Sequence, residues 1–459
     1  MYQIDFNKPI RIHFIGIGGI SMSGLAHILN DRGFHITGSD NNHSDITAEL
    51  ENMGIEVMYG QRPENVPAEA DLIVYTAAIH PDNPEFAECV RRGIPMMDRA
   101  ELLGQIMRNY DNSIAVAGTH GKTTTTSMVS HILLKAGMDP TISVGGILKS
   151  IGGNIRVGQS HNFITEACEY TNSFLKFDPR IAMILNVEED HMDFFKDIDD
   201  IRASFRKFAR KPGKNGLLVI NGAIKDLSYF TDGLDCKVLT YGFEPEFDYS
   251  ASNVVFDGFA RPTFDLKEHD TTVPGIKLSV TGMHNVSNAL ASIAVARFLG
   301  IDMDTIRQGL LDFTGTDRRF EIKGETNGIT IIDDYAHHPT EIKATLTAAH
   351  DFPHRKIWCA FQPHTYTRTK AFLHEFAEAL SLADEVVLTD IYAAREKDTG
   401  DIHSRDIEKL LIEKGTDARY CASFNEAEEY LKNNCKKGDL LITMGAGNIY
   451  IIGEDLLKK

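Results

Sequence analysis

Residues 113–137, SIAVAGTHGKTTTTSMVSHILLKAG, limit the fold of this chain more than any other stretch. A short apolar run enters a Gly-x-x-Gly-Lys-Thr turn and leaves as a helix, which is the signature of a strand–turn–helix unit in an α/β sheet. Gly118 and Gly121 let backbone N–H groups close on phosphate oxygens, the helix directs its positive end at them, and Lys122 adds a point charge. Thr123 offers a hydroxyl to Mg²⁺. Only Thr119 and His120 separate the two glycines, whereas the general phosphate-loop pattern has four residues there. The alternative is a glycine turn with a solvated lysine; the correctly placed strand and helix favour phosphate.

The same alternation starts afresh at three places. PIRIHFIGIGGISMSGLAHILNDRGFHITGSD (residues 9–40) reads as a strand, a glycine-rich turn, a helix and a second strand ending at Ser39 and Asp40, with further strands at DLIVYTAAI and near IPMMDRAELL. A second unit begins at Ile114, with buried-strand candidates HNFITEA, IAMILNV and NGLLVING, and closes with an Ala-rich helix stopped at Gly300. A third follows FTGTDRRFE, with strands at ITIIDDYAHHP, KIWCAFQPH, EVVLTDIY and DLLITMGAGNI. A chain of 459 residues exceeds what one core organises. The expectation is therefore three successive α/β domains, Rossmann-like at both ends with mostly parallel sheets, over residues 1–111, 112–316 and 317–459.

Composition narrows the partners. A formal net charge of −18 repels a phosphate backbone and no long Lys/Arg run offsets it, which argues against nucleic acid. No apolar run approaches the roughly 20 residues of a spanning helix, and the N-terminus lacks a basic segment followed by an apolar one, so a cytoplasmic protein without a membrane partner is expected. The six cysteines show no C-x-x-C pairing, which argues against a disulfide framework or a thiolate zinc site.

An Mg²⁺–nucleotide site requires hard oxygen ligands, normally from the ends of neighbouring strands. FITEACEYTNSF supplies Glu166 and Glu169 after one apolar strand; MILNVEEDHMDFF supplies Glu188, Glu189, Asp190, His191 and Asp193 after another. Either cluster alone is an ordinary solvated strand end, but two of them following one phosphate turn suggest a polynucleate metal site. At the N-terminus, Gly16, Gly18 and Gly19 with Asp40 downstream mimic a dinucleotide fingerprint, but its last glycine falls on Ser21.

GTHGKTTT, TEACEYTNSF, NVEEDHMD, GMHNVSNALA, GTDRRFE, DDYAHHPTE and FQPHTYTRT, together with HFIGIGGISMSG, occur in the order and spacing of the Mur ligases, and nearly the whole chain resembles that family. Among its members the resemblance is to the one that joins L-alanine to UDP-N-acetylmuramate. It implies ATP-dependent amide formation in peptidoglycan precursor synthesis. The substrate carboxylate attacks the γ-phosphate, an acyl phosphate forms, an amino group displaces phosphate, and ADP and phosphate leave.

The resemblance also implies site residues. Gly118, Thr119, His120, Gly121, Lys122, Thr123 and Thr124 would hold the triphosphate, with Thr123, Glu166 and His191 on two Mg²⁺ ions. His284, Asn285 and Asn288 match the adenine-side segment, although helix capping by the asparagines would explain them nearly as well. Arg318 or Arg319 would reach phosphate, and Asp333 or Asp334 the nucleotide; the assignment taken is Arg319 and Asp334. His337, His364 and Arg368 would form the amino-acid pocket, where Thr365 replaces an arginine found in some relatives and leaves the carboxylate clamp to Arg368. Lys122, Glu166, His191, His337 and Arg368 are the catalytic candidates. Gly16, Gly18, Gly19, Ile20, Ser21, Ser39, Asp40 and Ala77 would take the UDP-sugar. Phe205 falls where several Mur ligases carry a carbamylated lysine, so that modification is not expected.

Three rivals are a ligase attaching an intact tripeptide to the same nucleotide sugar, a nicotinamide-dependent dehydrogenase built on the first domain, and a non-catalytic nucleotide switch. The dehydrogenase leaves the phosphate turn and acidic strand ends unexplained, and the switch has no use for Lys122, Glu166 and His191 together. A monomer or homodimer is expected.

Overall fold

The computed structural model describes residues 2–458 except Ala77 and Arg395. Its 21 described strands form three sheets. The first contains β1 (Arg11–Ile15), β2 (His35–Asp40), β3 (Glu56–Tyr59), β4 (Leu72–Tyr75) and β5 (Met96–Asp98) in the order β3-β2-β1-β4-β5, with every pairing parallel. The order reverses between β1 and β4. Such a switch point opens a crevice beyond the carboxyl ends of the strands, where the glycine-rich turn after β1 lies.

The central sheet contains β6 (Asn112–Ala117), β7 (Thr141–Leu148), β8 (Gly153–Arg156), β9 (Asn162–Glu166), β10 (Ile181–Ile184), β11 (Leu217–Asn221), β12 (Lys237–Gly242), β13 (Tyr249–Phe256), β14 (Pro262–Glu268) and β15 (Thr271–Lys277). Their order is β15-β14-β13-β12-β11-β10-β6-β9-β7-β8. β6 pairs in parallel with β9 and β10, so the loops after all three strands converge. Its residues Ile114–Ala117 are fully buried, in keeping with a parallel strand covered on both faces. The sheet has antiparallel margins that the sequence did not announce, β13-β14-β15 at one edge and the β7–β8 hairpin at the other.

The third sheet joins β16 (Glu321–Thr326), β17 (Ile329–Asp334), β18 (Ile357–Phe361), β19 (Glu385–Leu388), β20 (Asp417–Tyr420) and β21 (Leu440–Met444) as β16-β17-β21-β18-β19-β20, parallel except for β16.

The two junctions between sheets differ in kind. Leu102, Leu103, Ile106 and Met107 of the helix Arg99–Met107 share one apolar core with Phe163, Phe174 and Phe177 of the central sheet region. Gly104 lies so close to it that a Cβ there would be 2.2 Å from the carbonyl oxygen of Lys176. Phe205, fully buried, packs edge-on against Phe174 in the same core. The third sheet region keeps its own apolar clusters and meets the centre mainly through hydrogen bonds and ion pairs, with Phe259 of the central region against Phe352 at 5.7 Å. No helix among the described residues is long and apolar enough to cross a membrane.

Candidate functional site

After β6 the chain turns through Gly118 (φ 150°) and Gly121 (φ 81°) before entering the helix Lys122–Lys135. Both glycines are needed for space as well as conformation. A Cβ would lie 2.9 Å from Leu185 Cβ at the first and 2.8 Å from Asn288 Oδ1 at the second. The helix starts without a side-chain cap, so its first N–H groups are available to an anion. The loop after β10 braces the turn, with the His120 N–H donating to Asn186 Oδ1 at 2.8 Å. Lys122 Nζ donates to the carbonyls of Gly118 and Thr119 and lies 3.1 Å from Glu169 Oε2. Burial opposes its charge, but Glu169 outweighs that effect and raises the pKa, so the cation is permanent at physiological pH. Glu169 is its counter-charge.

Beside the turn lies a cavity of about 320 Å³, within the size range of small-molecule sites. It is lined by His120, Gly121, Thr124, His284, Asn285, Asn288, Arg319 and Asp334, which come from three distant parts of the chain. The capping explanation for the asparagines does not hold. The helix Met283–Phe298 begins at Gly282 without a side-chain cap, whereas Asn285 Nδ2 donates to the Thr281 carbonyl and Asn288 Nδ2 to Asn285 Oδ1. The two paired alternatives also separate. Arg318 is tied to Asp333 at 2.9 Å and to the Gly445 carbonyl inside the third domain, while Arg319 and Asp334 face the cavity. Burial lifts Asp334 to about 6 despite Arg319 nearby, and burial with Arg319 drops His284 to about 4.

The donors expected for Mg²⁺ fit that ion. Glu166 ends β9, and Thr123 is the second residue of the helix after the turn; both abut the backbone of Gly145 and Gly146 in β7. The Gly145 N–H donates to Glu166 Oε1, and a Cβ at Gly146 would be 3.2 Å from Thr123 Cγ2. The Thr123 hydroxyl and the Glu166 carboxylate, each against one residue of the same β7 glycine pair, are hard donors suited to Mg²⁺. His191, with φ 55°, packs its ring at a tilt against Tyr170 at 4.6 Å, and burial lowers its pKa so that the neutral imidazole prevails at pH 7. The glycine pair was missed in the sequence, where Gly-Gly inside an apolar run was its only mark.

Elsewhere in the VEEDH segment, the side chains of Glu188 and Asp190 and the backbone of Glu189 contact the third domain. Thr340 donates to Glu188 Oε2 at 2.7 Å, His338 Nε2–H donates to the Glu189 carbonyl at 3.0 Å, and Asp190 pairs with Arg368 at 2.8 Å. These are docking contacts of the third domain. His120, Glu188 and His338 lie close enough together to suggest a second metal centre. However, His338 Nδ1 accepts the Thr340 N–H, which leaves the proton on Nε2 and no lone pair there for a metal. His120 instead lies between Glu341 at 3.2 Å and Glu188 at 3.4 Å; burial opposes its charge, but the two carboxylates prevail and lift it to about 9.

His337, His364 and Arg368 are brought together. The His337 and His364 rings are 5.7 Å apart, and Arg368 Nη1 is 3.1 Å from His364 Nδ1. Burial, with Arg368 nearby, drops His337 to about 3, so it is a neutral hydrogen-bonding group. Arg368 is committed here to Asp190, whose carboxyl it holds well below the usual range against the opposing effect of burial. Arg368 and His191 line one cleft of about 20 Å³, room for little more than a water. An amino acid would require the Arg368–Asp190 pair to part.

In the N-terminal turn, Gly16 has φ 82°, and the Gly18 N–H donates to Asp40 Oδ2 at 2.9 Å, with no room for a Cβ between them. Gly19 precedes the helix Ile20–Asp31, which has no side-chain cap and no acidic residue in its first turn; Ile20 is exposed. Ser39 departs from expectation. Its hydroxyl is fully buried and donates to Glu85 Oε2 at 2.6 Å, while its carbonyl accepts the N–H groups of Gly16 and Ile17. It shapes the turn rather than facing the crevice. Ala77 lies outside the described residues.

Three Mur ligase family models match along the chain: the "Mur ligase family, catalytic domain" over residues 11–111, the "Mur ligase middle domain" over 116–296, and the "Mur ligase, glutamate ligase domain" over 318–447. The chain belongs to the Mur ligase family and is a ligase. It is 61% identical to a UDP-N-acetylmuramate--L-alanine ligase of Agathobacter rectalis, covering 100% of both chains. A crystal structure of a UDP-N-acetylmuramate-alanine ligase from Thermotoga maritima superposes with a TM-score of 0.80 at 30% identity over 98% of each chain. A murein peptide ligase from Psychrobacter arcticus is more distant, with a TM-score of 0.71 at 26% identity over 98% of each chain.

Proposed function

We propose that this chain joins L-alanine to the lactyl carboxylate of UDP-N-acetylmuramate at the expense of ATP, in peptidoglycan precursor synthesis. The carrying observation is the uncapped Lys122 turn beside the cavity bounded by Asn288, Arg319 and Asp334, with Thr123 and Glu166 against the neighbouring Gly145–Gly146 backbone. The full-length likeness to alanine ligases selects the substrates. The domains follow the three sheets as 1–111, 112–316 and 317–459, and the substrates place the enzyme in the cytoplasm.

ATP occupies the cavity, its adenine beside His284, Asn285 and Asn288 and its phosphates over Gly118–Thr124. Lys122 exchanges Glu169 for the phosphates. Two Mg²⁺ ions, held by Thr123, Glu166 and His191, would supply charge neutralisation at the triphosphate. The nucleotide sugar lies along the Gly16–Ser21 turn. A carboxylate oxygen attacks the γ-phosphorus, the bond to ADP breaks, and an acyl phosphate results. The amino nitrogen of alanine, its carboxylate held by Arg368 beside His337 and His364, attacks the acyl carbon. The C–O bond breaks, phosphate departs with that oxygen, and the nitrogen loses a proton. Phosphoryl transfer of this type demands positioning and electrostatics rather than a protein nucleophile. Docking of the third domain keeps water from the acyl phosphate.

The test is ADP release by the purified enzyme with UDP-N-acetylmuramate and a panel of L-alanine, L-serine, glycine and an L-alanyl-γ-D-glutamyl-diamino acid tripeptide. L-Alanine is expected to give the highest kcat/KM. One methyl group contributes only about 1 kcal/mol, so discrimination against glycine should be modest. Preference for the tripeptide would replace this reading with the recycling one.

A further inference from the structure

Arg368 stands in the short helix Tyr366–Ala371 of the third domain, and Asp190 in the loop after β10 of the central one. Their side chains are each only 9% exposed, so the ion pair between them is nearly dry. Both Nη2 at 2.8 Å and Nε at 3.2 Å donate to Asp190 Oδ1, which also accepts the His191 N–H at 2.7 Å. Oδ2 has no hydrogen-bond partner among the described residues; the His191 Nε2 lies 3.8 Å from it. An arginine fork commonly meets a carboxylate with two nitrogens on two oxygens. Here one oxygen takes every donor and the other is left over.

The pair lines a cleft of about 20 Å³ together with His191, Thr365, Thr367 and Phe372. It therefore shuts the place that an amino acid held by Arg368 has to enter. Parting it is the difficulty. Taking one partner away from a buried ion pair leaves the other as an uncompensated charge, which costs more than the pair itself contributes. A carboxylate alone would satisfy Arg368 and strand Asp190, and an amine alone would do the reverse. An α-amino acid near neutral pH carries both charges on one carbon, so it replaces one ion pair by two and strands neither residue.

We infer that Asp190 is a substrate-binding residue that takes the ammonium group of the incoming amino acid, exchanging Arg368 for it as Arg368 takes the carboxylate. This rests on the proposed ligation of an amino acid at the Arg368 pocket. Oδ2 is the acceptor that Asp190 has to spare, and the docking contact alone gives it no use. The exchange makes the pocket selective before any side chain is read, because only a zwitterion opens it. Its site lies between two domains, so entry of the amino acid is coupled to their parting. The sequence grouped Asp190 with acidic metal-site candidates, since nothing in VEEDH shows which cation each carboxylate meets.

The test compares two acceptors in the full-length enzyme and its Asp190→Asn variant, supplied with UDP-N-acetylmuramate and MgATP. One is L-alanine. The other is hydroxylamine, an amine uncharged near neutral pH that traps an acyl phosphate as the hydroxamate and has no carboxylate to clamp. The variant's kcat/KM for L-alanine is expected to fall about 10- to 100-fold, the range of a charge-assisted hydrogen bond, and its loss with hydroxylamine to be about 10-fold smaller or less. Equal losses would make Asp190 a docking residue and overturn the assignment, as would an unaltered kcat/KM for L-alanine. In the unmodified enzyme, L-lactate, with a hydroxyl in place of the ammonium group, should inhibit with a Ki about 10-fold or more above the KM for L-alanine. A Ki equal to that KM would overturn the assignment without any variant. An unmodified enzyme that formed hydroxamate but no amide with L-alanine would remove the alanine reading itself, and this inference with it.

Discussion

Lys122 is the residue on which the chemistry turns. Its charge is matched by Glu169 and two loop carbonyls. Lys122→Ala removes the cation and leaves Glu169 to repel phosphate. The expected result is a fall in kcat of about 1000-fold or more, in line with losing a charge aimed at a developing transition state. Steady-state ADP formation measures it, and retention of normal turnover would refute the role. Residues of this kind were legible in the sequence because strand, turn and helix are contiguous there. Ser39 was misread because proximity to a strand end does not tell which way a side chain points; only Glu85, 46 residues away, shows where its hydroxyl goes.

At the scale of elements, the site depends on how strand ends are brought together. Glu166 and Thr123 approach the same strand because β9 and β6 are neighbours and because Gly145 and Gly146 of β7 leave space, one against each. The order of strands in a sheet is a non-local property, which is why the acidic clusters were found but their division of labour was not. The Glu188 and Asp190 carboxylates and the Glu189 backbone carbonyl hold the third domain. The antiparallel β13-β14-β15 margin escaped notice for a related reason, since its half-exposed strands lack the continuous apolar runs of the buried ones. The helix Arg99–Met107 makes its own prediction. Gly104→Ala would set a methyl group against the Lys176 carbonyl and prise the first domain from the centre. A destabilisation of about 1–3 kcal/mol, typical of overpacking, is expected in chemical denaturation. An unchanged midpoint would mean the junction yields more easily than its geometry implies.

Across the whole molecule, a mainly apolar junction fixes the first domain to the second, and a mainly polar one holds the third. Polar contacts can be exchanged for water at small net cost, so the third domain is the part able to open for substrates. His120 gives that junction a pH dependence. Its ordinary pKa of 6.5 rises to about 9 between Glu188 and Glu341, so its contribution to docking is complete below pH 6.5 and fades as pH rises through 9. Small-angle scattering without nucleotide should show the particle expanding over that interval, and His120→Gln should flatten the profile; a pH-independent radius in the unmodified enzyme would discard the idea. Above these details stands the claim that ATP is spent on a carboxylate. It is tested most directly with UDP-N-acetylmuramate carrying ¹⁸O in its lactyl carboxylate, incubated with the enzyme, MgATP and L-alanine in ordinary water. One labelled oxygen should appear in each released phosphate. Phosphate free of label, formed alongside the amide product, would contradict the acyl phosphate route.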